Sequence, residues 1–361
     1  MFPADHYLIL GISDGASTAE VKRAYRAQMR RYHPDYNPDP GAPTLVLEIT
    51  EAHRVLSHQE LRAQYDRQRN TAKKVHLVSA SGMEIGLGAL LGRGGRSRVY
   101  RVADRPRVLV KIFEGGATQA ERNNLTELLA VDPKRTVRLR ESGETVPTLA
   151  WPEELVFDGD RVVGYLMAEH PAGGVPLNVL TRLTGVPAWV DQLDLFVRLH
   201  VGMNLALLVE QVHAGNLVVG NLNPNAVYVA PSLVVTLIGC DSFVVAGHPR
   251  LRQTYMEGYV APEVARGGAF SLESDRFVLA VLLHELLPGR HPYRAGNAPR
   301  DLSDAALTPL RSAFDRALRS SVYSPEVRLT PREWIRVLQK CAKSLRPQAP
   351  LANRGGARGN A

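Results

Sequence analysis

The stretch AEVKRAYRAQMRRYHPDYNPD, residues 19–39, decides the fold of the first part of the chain. Ser17 and Glu20 have the spacing of a capping box, which marks the start of a helix. Proline disfavours a helical residue before it, so this helix must end near His33 and Pro34. The apolar face of the helix recurs at helical spacing and consists of Val21, Tyr25, Met29 and Tyr32.

A second helix is predicted after the loop, because its apolar residues again share one face; they are Leu45, Ile49, Ala52 and Leu56. The product is a helical hairpin whose tight loop carries His33, Pro34 and Asp35. A separate stripe of the first helix is basic, and we call it the basic stripe; its residues are Lys22, Arg23, Arg26 and Arg30. Such a stripe is either a solvated face or a surface that steers and orients an acidic partner.

These features resemble the J domain of DnaJ-type co-chaperones, as do the flanking segments DHYLILGI and EAHRVLSHQELRAQYDRQR. The resemblance assigns residues 1–69 to a J domain. It implies that His33, Pro34 and Asp35 trigger ATP hydrolysis by a DnaK-type chaperone, and that the basic stripe meets an acidic groove on that partner. Neither a glycine-phenylalanine-rich stretch nor a cysteine-rich zinc module follows, so the rest of the chain should select the client or the location.

A second region begins after a linker predicted at residues 70–74. It opens with a glycine-rich stretch between two predicted strands, and glycines let backbone amides approach phosphate groups closely. Lys111 follows inside an apolar strand, where it needs an anionic partner. The next predicted helix offers Glu121 and Glu127, and the sequence does not choose between them. The glycines are Gly92, Gly94 and Gly95.

Further motifs follow in the order Ala261-Pro262-Glu263, Asp275 at the start of an apolar helix, and Arg328. In this order the motifs resemble the protein-kinase fold, in which Arg328 would pair with Glu263. The segments GRGGRSRVY, AWPEELVF and CDSF are most similar to bacterial kinase-like domains associated with von Willebrand-type domains and metal-dependent protein phosphatases. We therefore predict a multidomain chain, in which an all-α J-domain hairpin precedes an α+β bilobal kinase-like fold. Its N-lobe spans residues 75–168 and its C-lobe residues 169–345.

The kinase resemblance implies that the catalytic positions are degenerate. Phosphoryl transfer needs an aspartate for the acceptor hydroxyl, and an asparagine and a second aspartate for metal. Here Asn221, Ala226 and Gly239 occupy these positions, so we expect no catalytic residues and no metal site. Residual kinase activity stays open, because nearby side chains offer substitutes; they are Asn223, Asn225 and Asp241.

Nucleotide binding is a separate question, because the glycine-rich stretch and Lys111 remain. Guanidinium groups hold phosphates without a metal, and Arg93, Arg96 and Arg98 crowd the stretch. One hypothesis is therefore that ATP binds without magnesium. The alternative is that these arginines are solvated or close an empty cleft.

Composition bounds the environment of the protein. The 361 residues carry a net charge of +8 and two cysteines, which fits a reducing compartment. The N-terminus lacks the pattern of a signal peptide, and the most apolar run, residues 277–287, is too short to span a bilayer. We expect a cytoplasmic protein that binds no membrane. Residues 346–361 predict a disordered tail, and its single Arg-Gly-Gly is too little to indicate nucleic-acid binding.

The preferred hypothesis is a J-domain co-chaperone whose second domain is a pseudokinase that binds a client, a regulator or a nucleotide. One alternative is an unconventional active Ser/Thr kinase that carries a J domain for localisation. A second is a scaffold in a bacterial stress-response module with phosphatase or von Willebrand-type partners.

Overall fold

The computed structural model describes residues 5–32, 42–71, 76–94, 96–140, 142–181, 186–246, 255–294, 300–320 and 323–345. Three features predicted from the sequence lie outside these residues: the His33-Pro34-Asp35 loop, Gly95 and the tail at 346–361. The chain divides into two compact units. Unit 1 comprises Met1–Leu129 and Trp151–Glu169, and unit 2 comprises Ala130–Ala150 and His170–Ala361.

The α-helices of the described residues follow the predicted order: a helical hairpin first, and longer buried helices towards the end. In chain order they are α1 His6–Leu10, α2 Thr18–Tyr32, α3 Ala42–Leu56, α4 Gln59–Thr71, α5 Gln119–Leu129, α6 Ala188–Asp191, α7 Leu195–Ala214, α8 Pro262–Ala265, α9 Leu272–Leu286, α10 Thr308–Asp315 and α11 Pro331–Ser344. Short 3₁₀ segments lie at Leu177–Thr181, Cys240–Ser242, Ala305–Leu307 and Pro325–Val327, and a π-helical turn at Arg316–Ser320.

The described strands are short, apart from those of one larger sheet in unit 1. In chain order they are β1 Leu77–Ser79, β2 Leu87–Arg93, β3 Ser97–Val102, β4 Val108–Phe113, β5 Thr136–Arg138, β6 Thr145–Pro147, β7 Glu154–Asp158, β8 Arg161–Ala168, β9 Val175–Pro176, β10 Leu217–Val218, β11 Val227–Val229, β12 Val235–Leu237 and β13 Val244–Val245.

The N-terminal hairpin is stabilised by its caps and by one buried tyrosine. The capping box is confirmed, since the Ser17 amide donates to Glu20 at 2.7 Å and the Glu20 amide donates to the Ser17 hydroxyl at 3.3 Å. The Tyr7 hydroxyl donates to Asp66 at 2.8 Å and accepts from Arg62 at 2.9 Å. These bonds attach α4 to α1, and the apolar faces of α1, α2 and α3 form the core between them.

Helix α4 is longer than the sequence predicts. Helix α4 runs to Thr71, two residues into the predicted linker at 70–74. The segment between Asp66 and Thr71 contains neither glycine nor proline, so nothing in it ends the helix earlier. Buried residues of the hairpin and of the sheet form a single hydrophobic core, which is why both belong to unit 1.

The described strands of this sheet lie in the order β1-β7-β8-β4-β3-β2, and each neighbouring pair is antiparallel. Strand β2 is therefore an edge strand, bonded to β3 on one side only. Its other side faces the helical hairpin, where α1 packs against it. An edge strand has unpaired backbone groups that a folded protein usually covers.

Unit 2 is mainly helical and is built around α7. Helix α7 packs against α11 and α9, and Gly202 allows this approach: a side chain there would lie 3.1 Å from Leu283. By length and composition α7 is the one described helix that could cross a membrane, and 56% of its most apolar stretch is buried within the protein. The chain is thus a helical hairpin followed by a region of mixed helices and strands.

Candidate functional site

The basic stripe lies on the solvent-facing side of α2. All four of its residues are exposed, whereas Val21 and Tyr32 on the opposite side are buried. Two guanidinium groups follow the helix axis, because Arg26 donates to the Lys22 carbonyl and Arg30 to the Arg26 carbonyl, each at 3.3 Å. The structure thus brings the predicted chaperone-binding cations together on one open face.

The loop that joins α2 to α3 carries His33, Pro34 and Asp35 and lies outside the described residues. The helices on either side of it are packed together. Tyr25 of α2 stacks on His53 of α3 with ring centroids 4.2 Å apart. Burial, followed by the charge of Lys22, lowers the pKa of His53, so the neutral ring is favoured in this stack.

Two of the three arginines near the glycine-rich stretch share the same two carboxylates. Arg93 donates to Glu48 of α3, and Arg98 donates to the same carboxylate oxygen at 3.0 Å. Glu114 lies 3.3 Å from Arg93 and 3.2 Å from Arg98. Burial alone would lower the pKa of Arg98, but Glu48 and Tyr100 raise it above its ordinary value. These guanidinium groups are therefore not solvated, and a phosphate would compete with two carboxylates for them.

The third arginine, Arg96, lies just before β3 and pairs with a glutamate of α5. Arg96 lies 3.5 Å from Glu121, and Glu121 also accepts from the Thr118 amide at 2.7 Å as part of the N-cap. Of the two glutamates that the sequence offers to Lys111, Glu121 is thus committed to other groups.

Lys111 lies on β4 in the middle of the sheet. It pairs with Tyr165 of β8 in the register, and its ammonium group lies 5.8 Å from the ring of Phe113 and 5.9 Å from that of Tyr165. Gly164 permits this close strand pairing, because a Cβ there would come within 2.0 Å of the Lys111 carbonyl oxygen. The glycines Gly92 and Gly94 lie at the end of β2, where the Gly94 amide closes a turn on Ser97 at 2.8 Å.

Two of the three degenerate positions, Asn221 and Ala226, lie on a loop of unit 2 that is organised by Asn223. The Asn223 amide group donates to the Asn221 carbonyl at 2.8 Å, and its side-chain oxygen accepts from the Asn225 and Ala226 amides at 3.0 and 3.2 Å. Asn223 is thereby committed to the backbone, and Asn178 donates to the Asn225 side chain. The two substitute amides that the sequence offers are both engaged in holding the loop.

Gly239 follows β12 in a left-handed conformation, with φ of 69°, and a Cβ there would meet open space within 4 Å. Asp241 lies two residues further on in a 3₁₀ turn. The position therefore has room for a side chain but carries none.

Two buried charged side chains, Asp275 and Arg328, position this loop and the helices of unit 2. Asp275 at the start of α9 accepts from the Val219 amide at 2.7 Å and the Gly220 amide at 3.0 Å, and from His213 at 3.1 Å. Arg328 makes a bidentate contact with Glu263 at 2.7 and 2.8 Å. Burial alone would raise the pKa of Glu263, but the hydrogen bonds from Arg328 hold it below its ordinary value.

Sequence reasoning missed Glu48, Glu114 and Asn223 as organising residues. Glu48 and Glu114 are distant in sequence from one another and gave no motif. The signal that was available is the cluster of arginines at residues 93–98, which requires carboxylates or other anions once it is partly buried.

Comparison with known proteins assigns the first part of the chain. Residues 5–66 match the family described as "DnaJ domain", so this segment is a DnaJ domain. The chain is 38% identical over 122 residues to "Chaperone protein dnaJ A6, chloroplastic" of Arabidopsis thaliana, which covers 31% of this chain and 28% of the relative.

Two further relatives also have the word DnaJ in their descriptions. Identity is 48% over 80 residues to "Chaperone protein DnaJ" of Synechococcus sp. (strain JA-3-3Ab), with 22% of this chain and 20% of the relative covered. Identity is 51% over 67 residues to "Chaperone protein DnaJ" of Methanothermobacter thermautotrophicus, with 19% and 18% covered. The chain thus spans less than a third of the length of these relatives.

Proposed function

We propose that this protein is a J-domain co-chaperone that stimulates ATP hydrolysis by a DnaK-type chaperone in the cytoplasm. The single observation that carries the proposal is a DnaJ domain at residues 5–66 whose basic stripe is exposed as one face of α2. A clustered positive face steers an acidic partner and fixes its orientation, which suits a transient encounter. Both cysteines are free and buried, which is compatible with a reducing compartment.

The first prediction concerns the basic stripe. Reversing Lys22 and Arg26 to glutamate lowers the rate of association with the chaperone by about tenfold or more at low salt, because electrostatic steering supplies rate enhancements of that order. The measurement is the concentration of this protein that half-maximally stimulates a DnaK-type chaperone, at low and at physiological salt. We expect the variant to lose most of the salt dependence shown by the native chain.

The control is a charge reversal on an exposed arginine of the same unit that lies outside the stripe, and the single variant Arg26→Glu matches it in charge. Arg105 lies in the turn between β3 and β4 and is exposed, so Arg105→Glu changes the charge without touching α2. The control should stimulate the chaperone as the native chain does. A native chain that leaves the ATPase of a responsive DnaK-type chaperone at its basal rate contradicts the proposal itself.

We further propose that residues 75–345 form a kinase-like domain without phosphotransferase activity, which binds a client or a regulator. The support lies within each unit separately. Unit 1 has an antiparallel sheet with Lys111 at its centre, and unit 2 has the Glu263–Arg328 pair and an aspartate, Asp275, that holds the start of the degenerate loop. Because Glu121 is engaged elsewhere, Glu127 is the partner that we assign to Lys111.

The second prediction is that the purified chain transfers no labelled phosphate from ATP to itself or to a generic protein acceptor, with either magnesium or manganese. The reason is that alanine and glycine at residues 226 and 239 offer no metal ligand, while Asn223 and Asn225 are committed to the loop. Lys111→Ala should give the same background as the native chain. Transfer that Lys111→Ala abolishes would instead establish the active-kinase alternative.

The same preparation tests whether ATP binds without magnesium. Arg93 and Arg98 are already neutralised by Glu48 and Glu114, so we expect calorimetric titration to give no heat beyond dilution in either condition. The scaffold alternative, with phosphatase or von Willebrand-type partners, is examined by co-purification from the native cell.

A further inference from the structure

The docking of the J domain on strand β2 joins three of its four described helices, α1, α2 and α3, to the sheet. Gly11 at the end of α1 lies against Ala89, such that a Cβ built on Gly11 would be 3.5 Å from the Ala89 Cβ. The Tyr32 hydroxyl, at the last residue of α2, donates to the Leu91 carbonyl. Further along the same strand, Arg93 meets Glu48 of α3. Residues 89, 91 and 93 thus contact the hairpin in turn.

This contact uses the open side of an edge strand. Strand β2 bonds only to β3 within the described sheet, so the Leu91 carbonyl faces away from the ladder and is available to Tyr32. Covering such an edge removes a site for unwanted strand pairing. The J domain therefore packs on the sheet through a specific contact surface, which has a hydrogen bond, an apolar contact and ionic contacts.

The ionic component is a cluster of four side chains, Glu48, Arg93, Arg98 and Glu114, which we call the latch. Arg93 and Arg98 are only 15% and 11% exposed and Glu48 is 19% exposed, so solvent screens these charges far less than those of a surface pair. The second carboxylate oxygen of Glu48 is buried and accepts no hydrogen bond from the described residues. Opening a partly satisfied network breaks fewer hydrogen bonds than opening a complete one, so it costs less free energy. The latch is therefore reversible.

Tyr32 and the latch attach to β2 the two helices that the α2–α3 loop joins in the sequence. Tyr32 immediately precedes His33, and Glu48 lies in the first half of α3, so both helices that enter the loop are attached to β2. The basic stripe, in contrast, stays exposed in the docked form. A partner can therefore be attracted while the J domain is docked, but it must compete with β2 for the end of the hairpin near the loop.

We propose that strand β2 and the latch form an autoinhibitory dock, which restrains the J domain until the Glu48–arginine contacts open. This inference rests on the proposed co-chaperone function. Only molecules whose latch is open can then stimulate the chaperone. The apparent affinity for the chaperone is therefore the intrinsic affinity multiplied by the fraction of open molecules. The sheet of the second region thereby controls the activity of the J domain through contacts alone, without catalysing a reaction.

A disulfide across the dock tests this proposal. The 3.5 Å separation at Gly11 and Ala89 lies within the range of about 3.5–4.5 Å between the Cβ atoms of a disulfide. The full chain with Gly11→Cys and Ala89→Cys should lose stimulation of a DnaK-type chaperone when oxidised and regain it when a reductant is added. Gly11→Cys alone controls for strain, because Gly11 has a φ of 71°, and it should show no redox dependence.

A second variant opens the dock without new cysteines. Glu48→Gln removes the charge that both arginines share and should raise the open fraction about tenfold, as expected when a partly buried charged hydrogen bond is lost. The concentration for half-maximal stimulation should then fall by the same factor. The control is Glu51→Gln on the same helix, since Glu51 pairs at the surface with Arg54 at 2.7 Å and does not contact the latch.

The readouts separate this proposal from the proposed function. Equal stimulation by the oxidised and the reduced double-cysteine chain, or no effect of Glu48→Gln, overturns the autoinhibitory dock while leaving the co-chaperone function intact. The rate at which the cysteine pair oxidises needs no chaperone and reports docking directly. The pair should oxidise readily in the native chain, and a pair that stays reduced under oxidising conditions also overturns the proposal.

Discussion

The Asp35→Asn variant should leave a DnaK-type chaperone at its unstimulated rate of ATP hydrolysis, although the chain folds normally. The J-domain resemblance makes the loop at residues 33–35 the part that triggers hydrolysis, and the DnaJ-domain match covers it. Asparagine keeps the shape of the side chain but removes its charge and one of its acceptor sites. The measurement is single-turnover hydrolysis of ATP by the chaperone, with increasing amounts of this protein.

The loop itself provides a matched control. Asp39 lies four residues further along the sequence, so Asp39→Asn makes the same change of charge outside the His-Pro-Asp triplet. It should stimulate as the native chain does. Because the basic stripe is unchanged in both variants, Asp35→Asn should still bind the chaperone, and only the hydrolytic response should disappear. Undiminished stimulation by Asp35→Asn would mean that the chain acts on the chaperone by some other route.

The helical hairpin was predictable from the sequence because its information is local. The capping box at Ser17 and Glu20, the apolar spacing of α2 and the proline after it are all read within about twenty residues, and the structure has a helix over Thr18–Tyr32. The face that carries the basic stripe follows from the same spacing. Helix ends were less accurate, as α4 continues into the predicted linker for lack of a residue that would end it.

The dock was not predictable, because periodicity shows which side chains are buried but not what they are buried against. Tyr32 was assigned to an apolar face, yet its hydroxyl bonds to a carbonyl 59 residues away. The sequence leaves the arginines at residues 93 and 98 as phosphate ligands, as solvated groups or as groups that close an empty cleft, since their carboxylate partner, Glu48, lies in another predicted domain. Charge alone indicates that an anion is needed and leaves its identity open.

The second large effect is expected at Arg328. Its side chain is 1% exposed, makes two hydrogen bonds to Glu263, donates to the Glu273 carbonyl at 3.0 Å and lies 5.2 Å from the centre of the Phe277 ring. Arg328→Ala removes all these contacts and leaves a carboxylate without its partner, so we expect a loss of about 3 kcal/mol in the free energy of unfolding of unit 2. Hydrogen exchange of the buried amides of α9 measures this loss in the whole chain.

The control for Arg328 is an arginine at the surface of the same unit. Arg332 pairs with Glu210 at 3.0 Å but its side chain is 69% exposed, so Arg332→Ala should cost less than about 1 kcal/mol. Arg328→Lys separates charge from geometry: an ammonium group keeps the attraction but loses the planar bidentate contact, and stability should fall between those of the native chain and the alanine variant. Equal exchange rates for Arg328→Ala and Arg332→Ala would refute the structural role of the pair.

The pH dependence of the stability of unit 2 tests independently whether the Glu263–Arg328 pair is stabilising. The pKa of Glu263 is lower in the folded chain than its ordinary value of 4.5, so its pairing stabilises unit 2 at pH values above about 4.5. This stabilisation should decline as the pH falls through the lowered pKa, because the protonated carboxyl group no longer attracts Arg328. In Glu263→Gln the residue no longer titrates, and the decline in amide protection of α9 on acidification should be correspondingly smaller. If charge holds Glu263 of α8 to Arg328 before α11, the contact must weaken in acid in this way. A contact that acted through packing alone would not weaken.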